Sequence, residues 1–348
     1  MAKQMNDFDF PHEPQNEITM TDSEKRKHKS LFTKLCFAFL SFMLISQGIS
    51  LLAGDLLYAY APDLLNSSEF VLILSSAIQY LIAFPILFFI LRSIPKREPV
   101  KNELGLKSFL KYAAASIFIV YIGNYISSMI MMNLENALGT TPENSVSAIL
   151  DNTSVILTSL LVGIIGPIVE ELMFRKLFID RLTPYGDAIA ILLPSLVFGL
   201  FHGNLYQFFY AFLLGAMFSY IYLRTGKIIY STVLHVFINL FCGVLPSAIF
   251  GMFDYEEFLE LMLEGTITDA YINANMLPII LLAVYEFIML AMVGIGIFVC
   301  TRNLRNVRLN KGEVRFPKGA AAEIVFFNAG AISLITISLL LIAYSTFR

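Results

Sequence analysis

Charged side chains make up only 15% of this 348-residue sequence, against about a quarter in ordinary soluble domains. Apolar side chains reach 57%. This balance excludes a water-soluble domain of this length and reads as an all-α, polytopic membrane bundle, because one span takes roughly 20 mainly apolar residues. Cysteine is also sparse: Cys36, Cys242 and Cys300 lie in or beside apolar stretches with no close spacing, which excludes a disulfide framework and a metal knuckle. No repeat, low-complexity tract or soluble-domain boundary is present, nothing suggests a nucleic-acid partner, and no apolar stretch lies close enough to Met1 for a cleavable signal peptide.

What is present is a series of apolar stretches, near 31–53, 68–92, 110–132, 154–173, 187–204, 206–223, 229–250, 277–300 and 321–346. These predict eight to nine spans within a bundle covering 31–348, after a polar, disordered tail over 1–30 that ends in Lys25-Arg26-Lys27-His28-Lys29. The connecting segments alternate in charge. Arg92 to Lys107, Arg175 to Arg181, Arg224 with Lys227, and Arg302 to Arg315 are basic, whereas Asp55–Glu69, Glu135–Asp151 and Asp254–Asn275 are acidic or neutral. The bias of basic residues toward the cytoplasm then predicts a multi-pass protein of a bacterial cell membrane with its N-terminus inside. Asn66-Ser67-Ser68 and Asn152-Thr153-Ser154 match the glycosylation triplet, a pattern too short to carry weight.

Within the most apolar part of the chain lie three polar signatures: Glu170-Glu171-Leu172-Met173-Phe174-Arg175, Phe198-Gly199-Leu200-Phe201-His202 and His235-Val236-Phe237-Ile238-Asn239. Ionisable groups at membrane depth are costly and normally face a bundle interior or a wet cavity. On a helix Glu171 and Arg175 stand at i and i+4 and can neutralise each other. Glu170 lies about 100° around the helix, so it faces something else and is the better candidate for activating water, with Glu171 holding the helix in place. His235 and Asn239, one turn apart, present imidazole and carboxamide donors on one face, suited to an oxyanion or to an interhelical clamp. His202 alone reads as readily as an interfacial hydrogen-bonding residue. Glu286, in the middle of an apolar stretch, reads as a bond across the bundle or as an ion-coupling acid. The 31 Phe and 16 Tyr read as lipid-facing packing and interfacial belts.

Together, Glu-Glu-x-x-x-Arg, Phe-x-x-x-His and His-x-x-x-Asn on successive spans resemble the CPBP (Abi) family of intramembrane endopeptidases, whose best-known branch is the type II CAAX prenyl proteases. The resemblance covers roughly 150–245. It implies that Glu170 and His202 activate the attacking water, that His235 and Asn239 stabilise the oxyanion, and that Glu171 and Arg175 support them. Its substrates would be prenylated CAAX termini, leader peptides, bacteriocins or small membrane proteins. Lys176 departs from the glycine that often follows the family's arginine.

The metal question stays open at this point. If zinc were bound, Glu170, His202 and His235 would be its ligands, a sufficient set for catalytic zinc. The lack of His-Glu-x-x-His and the pairing of Asn with His favour water activation with no cofactor. A serine nucleophile is disfavoured, since Ser195 has no Gly-x-Ser-x-Gly around it. Other classes remain as alternatives: a non-catalytic bacteriocin-immunity or peptide-binding protein, or a proton-coupled transporter using Glu170, His202 and Glu286, which would show inverted repeats. The predicted spans also set His202 near the outer end of its helix and Glu170 and His235 in the cytoplasmic half, so the fifth span must tilt or move inward for the three to meet.

Overall fold

The computed structural model describes residues 19–139, 153–303, 305 and 307–347. Most of the expected tail, most of the Glu135–Asp151 connection and Asn152 of the second glycosylation triplet lie outside the described residues. Among the described residues eight helices are long and apolar enough to cross a membrane. They are α1 (Asp22–Tyr60), α2 (Ser68–Leu91), α3 (Leu106–Ala137), α4 (Val155–Tyr185), α6 (Leu205–Thr225), α7 (Ile228–Phe250), α10 (Met276–Asn303) and α12 (Ala329–Thr346). Shorter helices intervene: α5 (Asp187–Phe201), α8 (Tyr255–Glu264), α9 (Asp269–Ala274) and α11 (Ala320–Val325).

Three boundaries differ from expectation, each for a local reason. Helix α1 begins at Asp22 and takes in the Lys25–Lys29 run, because Thr21 and Glu24 form a capping box and Lys25 reaches Glu323 of α11 at 2.6 Å. The last apolar stretch is divided: α11 ends at Val325, and Asn328 opens α12 by accepting from the Ala331 amide at 3.0 Å. The fifth stretch forms only the 15-residue α5, about 22 Å long and short of the roughly 30 Å hydrocarbon layer. It starts after Gly186 and stops at the Gly203 turn, where φ is +66°, a left-handed value suited to glycine.

Proline shapes three spans in the same way. In α2, α4 and α7 a π-helical turn immediately precedes Pro85, Pro167 and Pro246, and the residue before each proline bonds back five positions: Phe84 to Gln79, Gly166 to Leu161, Leu245 to Leu240. The wider turn carries each proline ring clear of the carbonyl it would otherwise strike.

The core falls into two clusters. One joins α1, α2, α4, α5 and α12 through phenylalanines, with Phe39 stacked on Phe178 at 4.3 Å and tilted against Phe174 at 5.3 Å. The other joins α3, α6, α7 and α10 around Ile117, Phe218, Leu234 and Ile238. Helix α4 lies in the first cluster with its polar face toward α6 and α7, so the Glu170–Arg175 turn is buried between the two. The segment after α10 is tied to the α4–α5 corner, Asn310 donating its amide to Asp187 at 2.6 Å and Val314 to the Pro184 carbonyl at 3.0 Å.

Candidate active site

Arg175 organises the floor of the site. Its guanidinium lies between the rings of Phe198 and Phe218, 5.6 and 5.8 Å from their centroids, and its Nε donates to Glu171 Oε2 at 3.0 Å with both side chains fully buried. Flat aromatic faces and a carboxylate are what a guanidinium needs when removed from water. The other Glu171 oxygen stands 3.2 Å from Nδ1 of His235, itself 4% exposed. A carboxylate paired with arginine is ionised and can only accept, so Nδ1 carries the proton and the ring is fixed in one orientation. Both oxygens of Glu171 are thereby occupied.

Glu170 is placed differently. Its side chain is 22% exposed, and Oε2 approaches Nε2 of His235 at 3.6 Å. With Nδ1 protonated, a neutral imidazole offers only a lone pair at Nε2, and a carboxylate offers only lone pairs too. A proton on one of the two, or a water between them, must make that approach favourable.

His202 does not reach Glu170 by a direct hydrogen bond among the described residues. Its Nδ1 donates to the Phe198 carbonyl at 2.8 Å, which leaves Nε2 without a hydrogen bond among the described residues. The Phe198 ring touches both imidazoles edge-on, at 4.9 Å from His202 and 5.7 Å from His235. His202 follows Phe198 by one turn at the end of α5, and the Phe198 ring lies between the two imidazoles.

Asn239 turns to the backbone. Its Nδ2 donates to the Val162 carbonyl at 2.9 Å. In the π register of α4 the donor due to that carbonyl is residue 167, a proline without an N–H. Asn239 therefore satisfies an acceptor that Pro167 leaves open and clamps α7 to α4, with its second amide hydrogen still available.

One residue beside the site escaped the sequence reading. Tyr80 lies in the π turn Ile78–Ala83 of α2, and its Oη is 3.0 Å from where a Cβ on Gly166 would stand. Gly166 is one turn before Glu170, so its missing side chain leaves room for the phenol. The polar pair Gln79-Tyr80 shortly before Pro85 was the available signal. Ser195 is fully buried, its hydroxyl bonded to the Ile191 carbonyl of its own helix at 2.5 Å. Glu286 is exposed on α10 and has no part in the Glu170–His235 contacts.

Among the described residues no three His, Cys, Asp or Glu side chains stand where they could hold a metal ion together. Of the three candidate ligands, Glu170 and His235 form an ion-pair contact at 3.6 Å, and among the described residues His202 is joined to neither by a direct hydrogen bond.

Residues 152–241 match the family model described as type II CAAX prenyl endopeptidase Rce1-like. Over 175 residues the chain is 29% identical to YdiL of Bacillus subtilis, named as a candidate membrane peptidase, covering 49% of this chain and 70% of that protein. It is 26% identical over 128 residues to protein YxdF of Lactococcus lactis, covering 36% and 71%. It is 26% identical over 163 residues to the membrane-embedded CAAX protease MroQ of Staphylococcus aureus, covering 44% and 66%. No solved structure matches the chain.

Proposed function

Residues 152–241 carry the core of the CPBP family of CAAX-type membrane proteases, and on that premise we propose that the protein is an intramembrane endopeptidase in which Glu170 activates water for direct attack on a peptide bond. The observation that carries this reading is the unequal placement of two neighbouring acids: Glu171 is fully buried with both oxygens occupied, while Glu170 is partly open beside His235. A buried base with one open face is what general-base catalysis requires.

Water between Glu170 and the free Nε2 of His202 gives its proton to Glu170 and attacks the scissile carbonyl. The oxyanion accepts from the second amide hydrogen of Asn239 and, with both ring nitrogens of His235 protonated, from its Nε2. Collapse of the tetrahedral species breaks the C–N bond as Glu170 returns the proton to the leaving nitrogen, yielding a carboxylate and an amine. No acyl-enzyme forms. Glu171 and Arg175 act through His235 as positioning residues.

The substrates we propose are peptides that reach the site from the membrane, prenylated CAAX termini or leader and bacteriocin-like peptides, with the N-terminus of the enzyme cytoplasmic. No metal is required. The test is cleavage of a farnesylated CAAX peptide and of a leader-type peptide by the purified chain in lipid nanodiscs, before and after thorough chelation. Cleavage of at least one, unchanged by chelation, is expected. Activity lost with zinc and restored by it would reassign Glu170, His202 and His235 as ligands, and cleavage of neither peptide would favour a binding or immunity role.

A further inference from the structure

A cavity of about 580 Å³ opens between α3, α5, α6 and α10, lined by none of the residues of the three polar signatures. Its size falls within the roughly 300–1,000 Å³ of small-ligand sites. Ala115, Ala188 and Ala216, one from each of α3, α5 and α6, provide the room.

The lining changes character with depth. Ser108 and Lys111 stand at i and i+3 in the first two turns of α3, and Asn303, its amide donating to the Val299 carbonyl at 2.8 Å, ends α10, so the polar groups gather where these helices meet their basic connecting segments, beside the apolar Val307 and Leu309. One to three turns further in, Ile119 of α3, Leu192 of α5 and Met217 of α6 close the cavity with apolar surface. No acidic side chain lines it. Lys111 is exposed and forms no ion pair among the described residues. The Arg224 guanidinium lies over the ring of Tyr220, a further wall, at 5.2 Å. The one acid nearby, Asp187, is already engaged by Arg224 and by the Asn310 amide.

We propose that this cavity binds one anionic phospholipid, its phosphate held by Lys111, Ser108 and Asn303 and an acyl chain laid between Ile119, Leu192 and Met217. A basic rim over an apolar shaft between spans selects an amphiphile, and unpaired positive charge at the loop level selects an anionic head group. A soluble anion would leave the apolar depth unfilled, and a neutral lipid would leave Lys111 uncompensated. The inference is independent of the proposed chemistry.

The experiment uses the full chain, reconstituted in nanodiscs of equal phosphatidylglycerol and phosphatidylcholine and then released for native mass spectrometry. One phosphatidylglycerol per chain is expected, retained in preference to phosphatidylcholine. Lys111→Gln, on an exposed position, should lower that preference about fivefold, the worth of one lysine at an anionic surface. Ala216→Phe should fill the shaft and abolish retention of both lipids, with its unfolding midpoint recorded beside wild type. Equal retention of the two lipids by wild type, or an unchanged preference in Lys111→Gln, would overturn the head-group assignment. A folded Ala216→Phe chain that still holds phosphatidylglycerol would overturn the site.

Discussion

Helix α4 carries charged clusters in two adjacent turns, one buried and one running out to the exposed Lys96 and Glu98, and they are built differently. In the one nearer the basic end, the Lys176 ammonium faces Tyr222 Oη at 3.0 Å, Asp180 Oδ2 at 3.2 Å and Glu98 Oε1 at 3.2 Å, and Tyr222 donates to Asp180 Oδ1 at 2.6 Å. Lys96 adds a second cation at 3.2 Å from Glu98. Two acids meet two lysines, and three oxygens lie within 3.2 Å of the Lys176 ammonium. In the cluster one turn earlier, Glu170 and Glu171 share a single permanent cation, Arg175, with His235 between them. With a neutral His235 that cluster is one positive charge short, and it is matched only in the doubly protonated form of His235 that the oxyanion role uses. A balanced cluster locks α4 to its neighbours, whereas an unbalanced one with an accessible oxygen can exchange a proton. The contrast also accounts for Lys176, which stands where the family often has glycine and here anchors the balanced network.

The comparison can be broken at either cluster. The largest effect is expected from Arg175→Met, which keeps the apolar stem between Phe198 and Phe218 but strands Glu171 as a fully buried charge. Removing one partner of a buried pair costs about 3–5 kcal/mol, so its unfolding midpoint in detergent should fall steeply and proteolysis should vanish with the fold. A midpoint like that of wild type would mean that Glu171 is neutral and the charge count wrong. Next comes Asn239→Ala. Loss of an oxyanion donor should lower turnover by about 10²–10³ with little change in KM, together with a modest loss of stability from the unsatisfied Val162 carbonyl. A stability loss without a turnover defect would leave Asn239 as a clamp only. The smallest effect belongs to the balanced cluster: Tyr222→Phe should destabilise by about 1–3 kcal/mol, the cost of a buried acceptor losing its donor, with turnover unchanged in the folded fraction. A turnover loss there would join the two clusters into one functional unit.

Much of this arrangement was legible in the sequence. The i,i+4 spacing of Glu171 and Arg175 already implied their pairing and left Glu170 free, whereas the helix start at Thr21–Glu24 was missed because the polar, basic run suggested a tail. Span number was less secure, because hydropathy counts apolar residues and not helical rise; the stretch 187–204 is apolar, yet Gly186 and Gly203 confine its helix to Asp187–Phe201. The partners of His235 and Asn239 were not legible from their shared face. His235 turns to two acids on α4, while Asn239 is drawn to a carbonyl left open by a proline five residues further along that helix. Tyr80 stayed hidden because its proximity to Gly166 joins residues far apart in sequence through two proline-linked π turns.

The most direct measurement sets Glu170→Gln beside Glu171→Gln, recording turnover on a cleaved peptide and the thermal unfolding midpoint for each. The amide of Glu170→Gln keeps the side-chain volume but cannot take a proton from water. Turnover should fall by at least the 10²–10⁴ typical of a lost general base, with an unfolding midpoint close to that of wild type. Glu171→Gln should unfold at a clearly lower temperature, because Arg175 loses the carboxylate it pairs with among the described residues. Near-normal turnover in Glu170→Gln, with activity lost in a stably folded Glu171→Gln, would reverse the two acids and contradict the account.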